Sequence, residues 1–174
     1  MGNSQHKLSI KSDSGFKLEE IELLEIAAHY FLNQLDKIKS VDIIHADIQI
    51  SNNVLSEASS SHLSGDMVEI PNQLLENGRI GNYYVCRLAD YTNSVETLRT
   101  LAHELIHVWQ TENGSLKLVN GEWLWRGKSY GVRPYKGTEA DDLLPWELEA
   151  GKLDLKLVRR FYKEYFSNWY TKLK

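Results

Sequence analysis

The sequence predicts an α+β fold. Three observations lead there: apolar residues at helical spacing over 17–38, three strand-like runs between 41 and 88, the first of them rich in β-branched residues, and two further helical patterns enclosing a hairpin signature. At 174 residues, with 42% hydrophobic and 25% charged side chains, the chain has the length and composition of one globular domain with one core. It carries no internal repeat and no dividing linker, so residues 16–174 are expected to form one domain behind a flexible tail, residues 1–15.

In the first helix Leu18, Ile21, Leu24, Ala28, Phe31, Leu35 and Ile38 share a face, and Glu19, Glu20 and Glu22 complement the dipole of the opening turn. Val41–Ile50, Asp66–Ile70 and Tyr83–Leu88 read as strands of a small mixed sheet. Asn52-Asn53 and the serine run favour a loop over 51–64, and Pro71–Gly81 suggests a short helical turn with a bend at Gly78 or Gly81. Ser94 is placed to cap a second helix whose apolar positions Leu98, Leu101, Leu105 and Val108 run on to a stop at Asn113-Gly114. Asn120-Gly121 suits a type I′ turn between Leu116–Val119 and Trp123–Trp125, and Gly127 permits another bend, which together predict a β-meander. Asp141 or Asp142 caps a long final helix opened by Pro145 and running to Tyr170, about 40 Å at 1.5 Å per residue.

A net charge of −4 and a pI near 5.9 supply no general field for nucleic acid or anionic lipid. Cys86 is the only cysteine, which excludes an internal disulfide and a thiolate-rich zinc site and suits a reducing, cytoplasmic setting. Met1–Gly15 lacks the apolar stretch of a secretory signal, and His6 stands where a myristoylation motif needs Ser or Thr. Lys152, Lys156, Arg159, Arg160 and Lys163 cluster on the last helix and read as a solvated face, and the five tryptophans read as packing aromatics.

Chemistry concentrates in His103-Glu104-Leu105-Ile106-His107, the HExxH pattern, within a segment that is helical by its own apolar spacing. Imidazoles four residues apart project from one helix face, so both can reach a single Zn²⁺ at roughly 2.0 to 2.1 Å. Glu104, one step round the helix, is placed to act on zinc-activated water as general base and then as proton donor to a leaving amine. A catalytic zinc needs a third protein ligand beside an open water position. The remaining histidines, His6, His29, His45 and His62, all precede the motif, and Asn113 stands where an extended motif would put a third His. A downstream carboxylate is therefore favoured. In Pro145-Trp146-Glu147-Leu148-Glu149-Ala150-Gly151, Glu147 shares a face with Ala150, Gly151 and Asp154, while Glu149 shares one with Leu153 and Leu157. Glu147 is the preferred ligand and Glu149 the alternative.

With HELIHVWQ on a helix, an aromatic-rich hairpin region and PWELEA opening a later helix, the chain from Tyr83 onward resembles the gluzincin class of zincin metallopeptidases. HELIHVWQ also resembles, more distantly, SprT-like domains, whose third His has no counterpart here. The gluzincin resemblance implies a zincin-like fold, a Glu third ligand followed three residues later by Ala, as in Glu147 and Ala150, and then Asp or Asn, where this chain has Gly151. It also implies a peptide-binding edge strand just before the motif helix, the position of Tyr83–Leu88, and a Tyr or His that stabilises the transition state, for which Tyr130 and Tyr135 are available. Asp154 is a candidate partner for the outer nitrogen of a zinc-bound His. The expected function is a zinc metallopeptidase, a hydrolase acting on polypeptide. The competing expectations are a non-catalytic zincin-like binding module stabilised by zinc and a DNA-associated protease of the SprT-like kind.

Overall fold

A computed structural model describes residues 6–12, 17–51, 65–75, 78–89, 94–133 and 138–172. Helix α1 (Leu18–Asp36) buries Leu24, Ala27, Ala28, Phe31, Leu32 and Leu35 along one stripe, as its apolar spacing requires. The Glu20 side chain accepts a hydrogen bond from the Lys17 amide at 2.8 Å, satisfying one donor of the helix start.

The stripe of α1 lies on a four-stranded sheet of order β1-β2-β4-β3, built from β1 (Lys7–Ser12), β2 (His45–Ser51), β3 (Gly65–Leu74) and β4 (Ile80–Ala89). β1, β2 and β4 run parallel, and β3 returns antiparallel to β4. Ala46, Ile48 and Ile50 pair with Tyr84, Cys86 and Leu88, and all six side chains are buried against the helices. The intervening Asp47 and Gln49 point to the opposite face, the period-2 alternation of a sheet packed on one side.

Helix α2 (Ser94–Glu112) follows β4 and packs on α1, β3 and β4. It ends where Gly114 takes φ 75°: the Ser115 amide reaches back to the Gln110 carbonyl at 2.9 Å and the Gly114 amide to the Thr111 carbonyl at 3.0 Å. This is a Schellman stop, which explains the Asn113-Gly114 signal. A three-stranded meander comes next, β5 (Leu116–Val119), β6 (Glu122–Trp125) and β7 (Lys128–Ser129). Its two turns have positive φ at Asn120-Gly121 (53° and 82°) and at Arg126-Gly127 (50° and 82°), as type I′ turns demand. Helix α3 (Glu139–Asp142) is one turn, and α4 (Pro145–Lys172) closes the fold against α2 and α1. No described helix is long and apolar enough to cross a membrane.

Four expectations need correction. Lys7–Ser12, assigned to the flexible tail 1–15, forms β1; Leu8 and Ile10 pack on the core, and the Lys7 amide donates to the Ile44 carbonyl at 2.8 Å. Two apolar residues in a polar run are too short a pattern to announce a strand whose pairing is supplied by β2. Met1–Gln5 and 13–16 lie outside the described residues. Among the described residues of Pro71–Gly81 there is strand rather than a helical turn: β3 continues through Pro71 across a register shift between Ile70 and Gln73, with Asn72 at φ 58°, while the expected bend falls at Gly78, φ 76°. β3 is the outer strand in the order of the described sheet, where a residue lacking an N–H is tolerated at a bulge. Tyr83–Leu88 is for the same reason an inner segment of β4, between β2 and β3, and the edge position belongs to β3. Finally, Asp141 and Asp142 lie inside α3, which Thr138 caps by accepting from the Asp141 amide at 3.3 Å.

β1 is held at its start by His6, which is 3% exposed. The Ile44 amide donates to His6 Nδ1 at 3.2 Å, so Nε2 carries the proton that meets Asp36 Oδ2 at 3.1 Å. Burial holds the imidazole below its ordinary value of 6.5; Asp36 opposes that shift and His29 adds to it. A depressed His contributes stability that is complete above about pH 6.5 and declines as pH falls through the folded value. Acidification from about pH 7.5 to about 5 should therefore lower the protection factor, exchange relative to the intrinsic rate at each pH, at the Ile44 amide and along β1, leaving the protection factors of α2 unchanged. In His6→Gln this acid-induced loss of protection should disappear.

Candidate metal centre

His103 and His107 stand one turn apart on α2, their rings edge to face with centroids 4.7 Å apart. Glu147, in the first turn of α4, points between them. Its Oε2 is 3.1 Å from His103 Nε2 and 3.2 Å from His107 Nε2, and the two nitrogens are 3.1 Å apart. These three side chains form the one group of potential metal ligands found among the described residues. Donors bound to tetrahedral zinc at about 2.0 to 2.1 Å are about 3.3 to 3.4 Å from one another, so the observed triangle fits such an ion with little movement. Two imidazoles and one carboxylate are also the donor set of a zinc site that leaves a fourth position for water.

Packing explains why Glu147 arrives there. Trp146 is fully buried, stacked obliquely on Trp123 at 5.9 Å and Trp125 at 6.5 Å, with Tyr130 edge-on at 5.8 Å. This aromatic cluster, completed by Leu116 and Leu144, anchors the first turn of α4 to the meander. Ala150 is buried against the main core, whereas a Cβ added at Gly151 would meet nothing within 4 Å. Of the two small residues, Ala150 is the one that the helix contact uses. The alternative ligand Glu149 is turned away from the triangle: Gln110 Nε2 donates to its Oε2 at 3.0 Å and Arg126 Nη2 to its Oε1 at 2.5 Å.

Each member of the triangle has a partner behind it. Asp154, 1% exposed, faces His103 Nδ1 at 3.3 Å and accepts from Arg99 Nε at 3.4 Å. Gln110, fully buried, accepts at Oε1 from His107 Nδ1 at 2.9 Å and donates through Nε2 to the Trp146 carbonyl at 3.1 Å. Arg133 Nη2 donates to Glu147 Oε1 at 2.6 Å, and Asp141 holds the same guanidinium at Nε (2.6 Å) and Nη2 (3.0 Å). Glu104 is 5% exposed and lies beside the first residue of β3. A Cβ added at Gly65 would come within 3.1 Å of Glu104 Oε1, 3.0 Å of the Arg87 carbonyl oxygen and 2.8 Å of Thr100 Cγ2, so this position accepts no side chain without displacing its neighbours.

The electrostatics favour positive charge at the triangle. Burial opposes protonation of His103, yet hydrogen bonds with Asp154 and Glu147 and the charges of Glu104 and Glu147 push it up to about 10. Burial likewise opposes ionisation of Glu147, but the hydrogen bonds and charges of His103 and His107 hold its carboxyl well below the usual range. A divalent cation answers the same demand.

The other candidates are placed elsewhere. Tyr130 packs on Trp146, with Lys128 Nζ 5.1 Å from its ring centre; Tyr135 and His62 lie outside the described residues. His29 is on α1 and His45 is buried at the start of β2. Lys152, Lys156, Arg159, Arg160 and Lys163 form an exposed face of α4, with Arg160 paired to Glu164 at 2.6 Å. Three residues of the site were not anticipated. Gln110 sits three positions after His107, on the same helix face, and that spacing could have singled it out. Arg133 and Asp141 carry no local signal, because only the tertiary fold brings them to Glu147.

Replacing Gln110 by Leu leaves the outer nitrogen of His107 without its partner and removes the Gln110 bonds to the Trp146 carbonyl and to Glu149. Zinc affinity, measured by competition with a chromophoric chelator, should fall about 10- to 100-fold, and unfolding of the metal-free chain should become easier by about 1 to 3 kcal/mol. Compared with known family models, curated proteins and solved structures, the chain matches none.

Proposed function

We propose that this protein is a zinc-dependent peptidase with a zincin-like fold, in which His103, His107 and Glu147 would hold the metal and Glu104 is the general base. The observation that carries this reading is the triangle itself: three side chains from two helices, 40 residues apart in sequence between His107 and Glu147, bring one donor atom each within 3.2 Å of the other two. An unselected pair of packed helices has no reason to desolvate two imidazoles and a carboxylate at one point. Zinc bound there supplies a Lewis acid and lowers the pKa of a coordinated water towards about 7.

The chain's own residues account for the rest of the chemistry. Glu104 leaves the ligand face free, and its charge is felt by both His103 and Arg133. In this role it takes the proton from the attacking water and returns it to the leaving amine, so one carboxylate serves both halves of peptide hydrolysis. Asp154 and Gln110 fix the tautomers of His103 and His107 by accepting at their Nδ1 atoms, which turns both Nε2 lone pairs inwards. The edge strand β3 begins at Gly65, next to Glu104, so an extended polypeptide added to that edge runs towards the base. The buried Cys86, the lone cysteine, is consistent with work in a reducing, cytoplasmic compartment.

Glu104→Gln keeps the side-chain shape but removes the base. Cleavage of a denatured protein mixture should fall by about 100- to 10,000-fold, while zinc content per chain stays at the wild-type level. Chelator should abolish wild-type cleavage and zinc should restore it. Zinc binding without any chelator-sensitive cleavage would rule out the peptidase and leave a zinc-stabilised binding module; activity that depends on DNA would favour the SprT-like alternative.

A further inference from the structure

The role of Arg133 is unusual because a guanidinium beside a metal-binding carboxylate competes with the metal for the same charge. Its placement limits that competition to one atom. Arg133 Nη2 donates to Oε1 of Glu147 at 2.6 Å, while the two histidines face Oε2 at 3.1 and 3.2 Å. The guanidinium cannot slide towards Oε2, because Asp141, 3% exposed, grips it through both Nε and Nη2. That grip is the planar fork geometry which arginine offers and lysine does not. Asp141 is itself set by the Thr138-capped turn of α3, and the Arg133 guanidinium also lies over the Trp123 ring at 5.8 Å. The pair is thus fixed to the same aromatic platform that anchors Trp146 and the start of α4.

We propose that Asp141 and Arg133 form a positioning pair that confines Glu147 to one-oxygen ligation, so that the metal's fourth position is kept for water. The inference rests on the zinc reading above. A carboxylate bound through both oxygens takes up a coordination position and weakens the Lewis acidity left for the reaction; with Oε1 committed to Arg133, only Oε2 is free to bind. Neither residue touches the three-donor triangle through Oε2, and neither is assigned a part in bond breaking.

The test uses the full chain, stripped of metal and reloaded with Co²⁺, whose visible absorption is most intense in four-coordinate sites and falls through five- to six-coordinate ones. Wild type should give the intense spectrum. Arg133→Met and Asp141→Asn, each confirmed as folded by circular dichroism, should both lose a large part of that intensity as Glu147 becomes bidentate. Zinc affinity should change in both by no more than about 100-fold. Arg133→Lys, a point charge without the fork, should restore the spectrum less completely than arginine. Intense wild-type-like spectra in both Arg133→Met and Asp141→Asn would overturn the positioning role while leaving the metal site standing. Failure of wild type to bind Co²⁺ or Zn²⁺ at all would instead overturn the zinc reading, and this inference with it. Because two variants on different elements are compared, a folding defect in one leaves the other to decide.

Discussion

The fold turns on one constraint: α2 and α4 meet across a contact that contains buried charge. Isolated ionised groups in such a place cost several kcal/mol each, so the approach of the helices depends on partners for the charges between them. Asp154 serves His103, Gln110 serves His107, Arg133 serves Glu147, and Asp141 serves Arg133. The chain of contacts begins at Arg99 on α2, passes through α4 and ends at the α3 turn. A network of this kind is demanding because loss of one member leaves another desolvated and alone.

Rigid surroundings make the convergence possible. On one side the sheet seats α2, with Leu98, Leu101, Leu105 and Val108 in the main core. On the other, Trp146 is locked among the meander's aromatics, which sets both the position and the rotation of the helix turn that carries Glu147. The meander is small and largely exposed on its outer face, yet its type I′ turns give it a definite twist. Arg126, between β6 and β7, extends this support by pairing with Glu149, so that the two glutamates in the opening turns of α4 are held in different directions.

Much of this was legible in the residues. The helical period of α1, α2 and α4 exceeds any competing pattern, and the hairpin and stop signals at Asn120-Gly121 and Asn113-Gly114 act through φ angles that few residues adopt. The helix-face comparison between Glu147 and Glu149 also agrees with the geometry, since it depends only on 3.6-residue periodicity. β1 was hidden because a strand at the side of a parallel sheet takes its order from a partner 38 positions away, as Ser9 does from Asp47. Pro71 misled for a related reason: its meaning depends on whether the strand is inner or outer, and local sequence does not state that. Arg133 and Asp141 were invisible because their role is defined wholly by tertiary contact.

The bulge after Ile70 gives the outer strand a finite working length. From Gly65 to Ile70 the backbone is regular, and beyond it Pro71 and the left-handed Asn72 bend the chain and remove a donor. Six residues at about 3.4 Å each amount to roughly 20 Å of straight rim. The kink therefore acts as a ruler: it limits the regular stretch of the strand and interrupts the long, unbroken seam through which sheets of separate molecules zip together.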